Sequence, residues 1–207
     1  DEMLELASQG AQVLHNRSVE LAKKYHVNME VVSSLERKPG TKVKEVVKME
    51  KTNIAGVAKD TSIARIAVVG LDHNPGVAFR VFSLLGKAGI NVDAIIQSIG
   101  RDTSKDISFT LPRADVEEAV RVLEEQKGAL RFDHLTVEDK IAKVSIVGAG
   151  MMTTPGVAAK MFEALYDANI NIQMINTSEI RVSVLIHEDD ATAAVRAVHD
   201  KFFGDEM

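Results

Sequence analysis

The loop from Gly70 to Ala78, "GLDHNPGVA", has residue types and spacing that could hold an anionic ligand. It follows an apolar, β-branched run and leads into a segment with helical spacing of apolar residues. A strand, a Gly/Pro-containing loop and a helix in this order direct backbone N–H groups and the positive end of the helix dipole at an anion. Phosphate sites usually add a lysine or arginine, whereas this loop has Asp72, so the residues favour a carboxylate ligand that also carries an ammonium group. They are also compatible with a Pro-Gly pair that only starts the helix.

The residues give little support for a nucleotide-binding, catalytic or metal site. "GAGMMT" from Gly148 begins like a dinucleotide-binding fingerprint, but it has Thr153 at the third glycine position and lacks the later acidic residue. No GK[ST] phosphate loop occurs. We therefore expect residues 51–207 to bind rather than react, with no catalytic and no metal-ligating residue. The six histidines lack metal-ligand spacing: His15, His26, His73, His134, His187 and His199.

Composition excludes several classes of function. The chain has 207 residues, a hydrophobic content of 45% and a formal net charge of −5. The negative charge, with two Tyr and no Trp, argues against nucleic-acid binding. No apolar run approaches the ~20 residues of a membrane span, and no cysteine is present for disulfides or zinc. We expect a cytoplasmic protein, and the helical opening without an initiator Met predicts a piece of a longer chain.

An internal repeat organises most of the sequence. "IARIAVVG" at Ile63 recurs as "IAKVSIVG" at Ile141, and "PGVA" at Pro75 recurs at Pro155. The first copy predicts the ferredoxin-like order βαββαβ. Its elements are a strand to Gly70, a helix from Pro75 to Gly89, the strands "INVDAIIQS" and "DISFTLP", a helix opened by an Asp115/Glu118 capping box, and the strand "LRFDHLTVE".

The second copy lacks a fourth strand. The predicted elements are strand 141–148, helix 155–167, strands 170–176 and 180–187, and helix 190–202. A spare strand, "NIAGVAK" at Asn53 to Lys59, precedes the first copy, and we expect it to complete the second copy's sheet. The predicted fold class is therefore α+β, with two interleaved βαββαβ domains.

Asn91 and Asn171 begin the strand after the first helix at equivalent places in the two copies. We expect that strand to lie beside the start of the first helix, so that both amides could donate and accept hydrogen bonds near the same ligand.

Residues 1–50 belong to neither copy. They predict two helices separated by a break at Gly10, then a strand, a charged turn and a strand. The predicted organisation is 1–50, a fragment of an α/β domain; 51–62, a linker and the spare strand; 63–139, the first repeat; and 140–207, the second.

The motifs resemble a known family. "NPGVA" with "GINV", "TPGVA" with "NINI", and the ending "NTSEIRVSVLIHEDD" are similar to the tandem ACT regulatory domains of aspartate kinases. "MLELASQGAQVLHNRSVELAKKY" with "VVSSLERKPGTKV" is similar to the end of that family's amino-acid-kinase catalytic domain. The resemblance covers almost the whole chain.

The resemblance implies an effector site around the two Pro-Gly loops. The N–H groups near Gly76 to Ala78 would take the effector carboxylate, and Asn91 and Gln97 its polar groups. Family members often have an acid where this chain has His73, which leaves the choice of effector open. The implied residues are Asp72, His73, Asn74, Pro75, Gly76, Val77, Ala78, Asn91, Val92, Asp93 and Gln97, with Val157, Ala158, Asn171, Ile172, Ser178 and Glu179 from the facing surface of the second copy.

The resemblance also implies an activity and its control. The full enzyme phosphorylates aspartate with ATP and magnesium, and lysine, threonine or both inhibit it by binding the ACT domains, which pair between chains in a homodimer. The family's nucleotide loop is missing here, so we expect this chain alone to be inactive and without a cofactor. Alternatives are a regulatory small subunit or a free-standing amino-acid sensor; an RNA-binding βαββαβ module would need exposed aromatic residues and a basic face.

Overall fold

The segment before the repeats forms two helices, a hairpin and one further strand. The computed structural model describes residues 1–36, 38–45, 54–72, 74–99 and 105–204. The predicted break at Gly10 is present, because this residue has φ +93° between the two helices. The elements are α1 (Glu2–Ser8), α2 (Asn16–Lys24), β1 (Met29–Val31), β2 (Thr41–Val43) and β3 (Gly56–Asp60), with β1 and β2 antiparallel.

The first repeat is a unit by itself, Thr61–Ala142. Its sheet has the order β5-β6-β4-β7, and every neighbouring pair is antiparallel. The elements are β4 (Ile63–Leu71), α3 (Val77–Lys87), β5 (Ile95–Ile99), β6 (Lys105–Pro112), α4 (Val116–Glu125), α5 (Lys127–Leu130) and β7 (His134–Glu138). This is the predicted βαββαβ order with one addition, the short helix α5, so that the last strand begins at His134 and not at Leu130.

Alternating apolar side chains of this sheet form the core with α3 and α4. Ile66 and Phe109 face each other across β4 and β6 and are fully buried. Leu85 of α3 and Leu123 of α4 close the core from the helical layer. The apolar faces of both helices are buried in this way, which is the main source of stability for helices of this length.

The second repeat belongs to the other unit, with residues Asp1–Asp60. Its elements are β8 (Ile141–Val147), α6 (Val157–Asp167), β9 (Met174–Thr177), β10 (Arg181–His187) and α7 (Ala191–Phe203). The sheet order is β3-β8-β10-β9, and β3 pairs with β8 antiparallel, from Gly56 opposite Val147 to Asp60 opposite Lys143. The spare strand therefore lies in the second copy's sheet, and the interleaved fold is confirmed.

The predicted capping box at the start of α4 is wrong. Asp115 ends a 3₁₀ turn and makes no side-chain capping bond. The Glu118 carboxylate instead accepts two hydrogen bonds from Arg121, at 2.5 and 2.9 Å. These bonds hold the pKa of Glu118 below its ordinary value. A two-pronged guanidinium one turn away is a stronger partner for the carboxylate than a backbone N–H.

Candidate functional site

The two Pro-Gly loops adopt the same backbone conformation. Gly76 has φ 88° and ψ 0°, and Gly156 has φ 89° and ψ −2°. Each carbonyl accepts the first helical hydrogen bond, from Arg80 at 3.0 Å and from Lys160 at 2.9 Å. A Cβ at either glycine would meet no atom within 4 Å, so the left-handed φ, and not lack of space, selects glycine here.

The first turns of α3 and α6 offer backbone N–H groups rather than side chains. Val77 and Val157 are buried, at 6% and 7% exposure, and anchor the helix starts in their cores. Ala78 and Ala158 are small and half-buried, and Gly76 and Gly156 before them are exposed. The first N–H groups of a helix have no intrahelical acceptor and lie at its positive end. An anion of carboxylate size fits this arrangement.

A cleft of about 320 Å³ lies beside the first helix start. The predicted residues Asp72, Asn74, Pro75 and Val77 line one wall. The predicted residue His73 lies outside the described residues. The remaining lining residues come from α3 and from the segment around α5: Arg80, Gly128, Ala129, Leu130 and Arg131.

Two arginines that sequence reasoning missed bring positive charge to this cleft. Arg80 is four residues after Gly76, so helical spacing could have placed it on the loop's side of α3. Arg131 follows α5 with φ 56°, and nothing in its local sequence signals that it reaches the loop. Its Nη1 lies 3.5 Å from Oδ2 of Asp72. The Asp72 carboxylate therefore already has a cationic partner.

Asn91 does not lie beside the start of the first helix in its own repeat. Ile66 of β4 and Ile95 of β5 both pair with Phe109, so these two strands run in the same direction at the same level. Asn91 precedes Ile95, whereas the Pro-Gly loop follows Leu71 at the opposite end of β4. That expectation is wrong, because α3 carries the chain back along the whole sheet before Asn91. Asn171 follows α6 as Asn91 follows α3.

The other predicted residues divide between the segments after the first helices and the sheet edges. Val92 and Ile172 are half-buried, and Asp93 is exposed with its N–H bonded to the Thr110 carbonyl at 2.9 Å. Gln97 is exposed on the edge strand β5. Ser178 and Glu179 form the exposed turn between β9 and β10. Their role as effector contacts stays a prediction.

Among the residues that the structure describes, no group of three His, Cys, Asp or Glu side chains could hold a metal ion. Within the same residues, no helix is both long and apolar enough to cross a membrane.

Comparison with known proteins identifies relatives of the whole chain. The ACT domain family model matches residues 66–126 and 144–202. Aspartokinase 2 of Bacillus subtilis is 47% identical over 98% of this chain and 50% of its own length. The chain therefore spans about half the length of the curated relatives it matches.

Two solved structures extend the match to the fold. The ligand-free regulatory subunit of aspartate kinase from Thermus thermophilus is 41% identical, with a TM-score of 0.69, over 73% of this chain and 99% of its own. Aspartokinase III of E. coli in complex with lysine and aspartate, in the T-state, is 26% identical. It gives a TM-score of 0.73 over 98% of this chain and 45% of its own.

Proposed function

Because this chain belongs to the ACT domain family and matches the regulatory region of aspartokinases, we propose that its repeats bind lysine, threonine or both as feedback effectors. The observation that carries the proposal is the paired helix start, in which Gly76 and Gly156 hold two exposed helix N-termini in one conformation. The E. coli aspartokinase III structure, which contains lysine, supports an amino acid as the ligand.

The effector carboxylate binds at the first turns of the helices. In the first repeat, the N–H groups of Gly76 to Ala78 donate to it, and Arg80 adds positive charge along the same cleft, whereas Arg131 pairs with Asp72. Arg131 competes with the effector ammonium for the Asp72 carboxylate. The side-chain amides of Asn91 and Gln97 are the better acceptors, since both residues are exposed.

A second copy of the chain completes this site. Asn91 lies at the end of the first sheet that is remote from its own Pro-Gly loop. A ligand that contacts both Asn91 and a Pro-Gly loop must therefore take these two contacts from different repeats. We assign the second repeat to the other chain of a homodimer. The edge strand β5 supports this assembly, because its exposed Ile95 and Ile96 and its lack of charge leave it open to pairing.

The full-length protein then transfers a phosphoryl group from ATP to the side-chain carboxylate of aspartate, with magnesium, in a catalytic portion outside this chain. Effector binding favours one arrangement of the ACT domains. Because coupling between two ligands is reciprocal, an inhibitory effector must favour the arrangement in which the enzyme binds its substrates less tightly. Residues 51–207 bind the effector and take no part in the chemistry. The cytoplasm is the proposed location.

Calorimetric titration with lysine, threonine and an equimolar mixture tests the proposal. We expect saturable binding of at least one of the three and a higher melting temperature at saturation, since a ligand of the folded state stabilises it. Leucine at the same concentrations is the control. Flat titrations with all three would contradict the effector assignment.

A second candidate is a separate regulatory subunit or free-standing amino-acid sensor. It is favoured by the Thermus regulatory subunit, which this chain matches over 99% of that protein's length. The match to aspartokinase over 98% of this chain favours the full enzyme instead. Assaying the full-length gene product for ATP-dependent phosphorylation of aspartate separates the two.

A further inference from the structure

Helix α1 packs closely on the sheet of the second repeat. A Cβ on Gly10, just after this helix, would lie 2.3 Å from the Lys59 carbonyl oxygen of β3. Leu6 of α1 lies over Gly56 at the other end of the same strand. Gln9 is 3% exposed, although it is a polar residue at the end of a surface helix. The close backbone approach fixes α1 against β3.

A buried chain of hydrogen bonds links α1 to the middle of this sheet. Ser145 of β8 donates from Oγ to Oε1 of Gln9 at 3.3 Å. The Ser145 and Ser183 hydroxyl oxygens are 2.7 Å apart, and both residues are buried. Polar groups in such a position are costly unless each has a partner. The two serines therefore make the docking of Gln9 specific.

Helix α1 also contacts residues that precede or follow two of the three segments with predicted effector residues in the second repeat. Glu2 accepts a hydrogen bond through Oε1 from the N–H of Ala149, at 2.7 Å, in the loop that leads to the second Pro-Gly pair. Glu5 accepts a hydrogen bond through Oε1 from Nη1 of Arg181, at 2.8 Å, immediately after the Ser178–Glu179 turn.

Arg181 is the residue at which these contacts meet. Its carbonyl accepts from the N–H of Ser178 at 2.8 Å, and the next carbonyl back, Ile180, accepts from the N–H of Gly148 at 2.9 Å. Its side chain is 13% exposed, and that of Glu5 is 26% exposed. Arg181 thus accepts the hydrogen bond that closes the Ser178–Glu179 turn and pairs with Glu5 of α1. Its neighbour Ile180 accepts the hydrogen bond from Gly148, in the loop that follows β8.

The resting position of Arg181 leaves one polar atom unsatisfied. Its Nε is buried and has no hydrogen-bond partner among the described residues. An unpaired buried donor costs free energy, so a shifted position that satisfies Nε would be favoured by that amount. The Glu5 pair therefore forms with one Arg181 donor left unsatisfied.

We propose that Arg181 is a coupling residue, through which displacement of the Ser178–Glu179 turn releases helix α1 from the second repeat. The nature of the displacing ligand rests on the proposed function; the coupling itself does not. On the proposed function, a catalytic portion precedes α1, and the release of α1 carries the state of the second repeat toward that portion.

Amide hydrogen exchange on the 207-residue chain tests the coupling without a ligand. In Glu5→Gln and in Arg181→Lys, we expect α1 amides such as Gln9 to exchange about tenfold faster, as loss of a charged hydrogen bond requires. The amides of Ser178 and Gly148 should exchange faster too, since coupling is reciprocal. Glu20→Gln on the exposed face of α2 and Arg196→Lys on the exposed face of α7 are the matched controls.

The outcomes test the Arg181 coupling separately from the assignment of lysine or threonine as the effector. If only the α1 amides exchange faster, or if neither these nor the amides of Ser178 and Gly148 do, the coupling is overturned. Unchanged exchange in the first repeat excludes general unfolding as the cause of a positive result. With saturating lysine plus threonine, the α1 amides of the wild type should exchange faster, because α1 is released. The α1 amides of Glu5→Gln should show no further change. If the amino acids bind and α1 exchange stays the same, the coupling is overturned. If they do not bind while Glu5→Gln still loosens both segments, the coupling holds and the effector assignment fails.

Discussion

Arg131 and Asp72 form an ion pair, with 3.5 Å between Nη1 and Oδ2, at the edge of the first Pro-Gly loop. The sequence placed an acid beside an anion-binding helix end and so favoured a zwitterionic ligand. In the structure, a cation pairs with that acid. The two side chains are 74% and 43% exposed, so the pair is weak and a ligand can displace it.

Replacing Arg131 should therefore change effector affinity. In Arg131→Gln, Asp72 becomes available for the effector ammonium, and we expect the calorimetric affinity for lysine to rise about two- to fivefold, the range of an exposed ion pair. Lys87→Gln removes the same charge at the other end of α3 and should leave affinity unchanged. A weaker affinity in Arg131→Gln would mean that Arg131 contacts the carboxylate instead.

A bulky side chain above the first helical turn should block the ligand. Ala78 and Ala158 are half-buried in the first turns of α3 and α6, so on the proposed function an isoleucine at either position fills the space that the carboxylate needs. We expect Ala78→Ile or Ala158→Ile to weaken effector binding about tenfold or more, which is ~1.4 kcal/mol. In the full-length enzyme the same changes should relieve feedback inhibition.

The matched control for these variants is Ala193→Ile, on the exposed face of α7. It adds the same atoms without approaching a Pro-Gly loop. Unchanged effector affinity in both Ala78→Ile and Ala158→Ile would show that the ligand lies elsewhere.

Gly10 should be far more sensitive to substitution than Gly86. At Gly10 an alanine meets a backbone carbonyl at 2.3 Å and must adopt φ +93°, whereas at Gly86, inside α3, it meets nothing within 4 Å. We expect urea unfolding to show a loss of about 2 kcal/mol in Gly10→Ala, from the left-handed conformation and the clash. Gly86→Ala should gain about 0.5–1 kcal/mol. Equal stabilities would refute the close packing of α1 on β3.

The edge strand β5 should carry the dimer contact of the first repeat. Ile95 on β5 is 50% exposed, and Val137 on the opposite edge strand β7 is 43% exposed. A buried, unpaired charge opposes edge-to-edge pairing. Sedimentation should show a dimer for the wild type and Val137→Lys, and a dimer at least about tenfold weaker for Ile95→Lys. The reverse order of the two variants would place the interface on β7.

Local sequence patterns predicted the fold because each pattern occurs in both copies of the repeat, so that each copy supports the interpretation of the other. "IARIAVVG" and "IAKVSIVG" each predict a strand, and the second copy's missing fourth strand made "NIAGVAK" a candidate to complete its sheet. The observed pairing of β3 with β8 follows from that count.

The site was harder to predict, since its parts meet only through tertiary structure. The separation of Asn91 from the Pro-Gly loop depends on the return path of α3, and the approach of Arg131 depends on a left-handed residue after α5. The docking of α1 was hidden for a different reason. Ser145 and Ser183 interrupt buried strands, which is a signal of a polar partner but does not say which segment supplies it.

Backbone amide chemical shifts during a titration with lysine plus threonine test the central claim most directly. The account predicts that the N–H resonances at the two helix starts, Gly76 to Ala78 and Gly156 to Ala158, move saturably and move most, because an N–H that donates a hydrogen bond to a carboxylate is deshielded. Shifts confined to other parts of the chain, or no shifts at millimolar effector, would contradict the assignment of these Pro-Gly loops as the effector site.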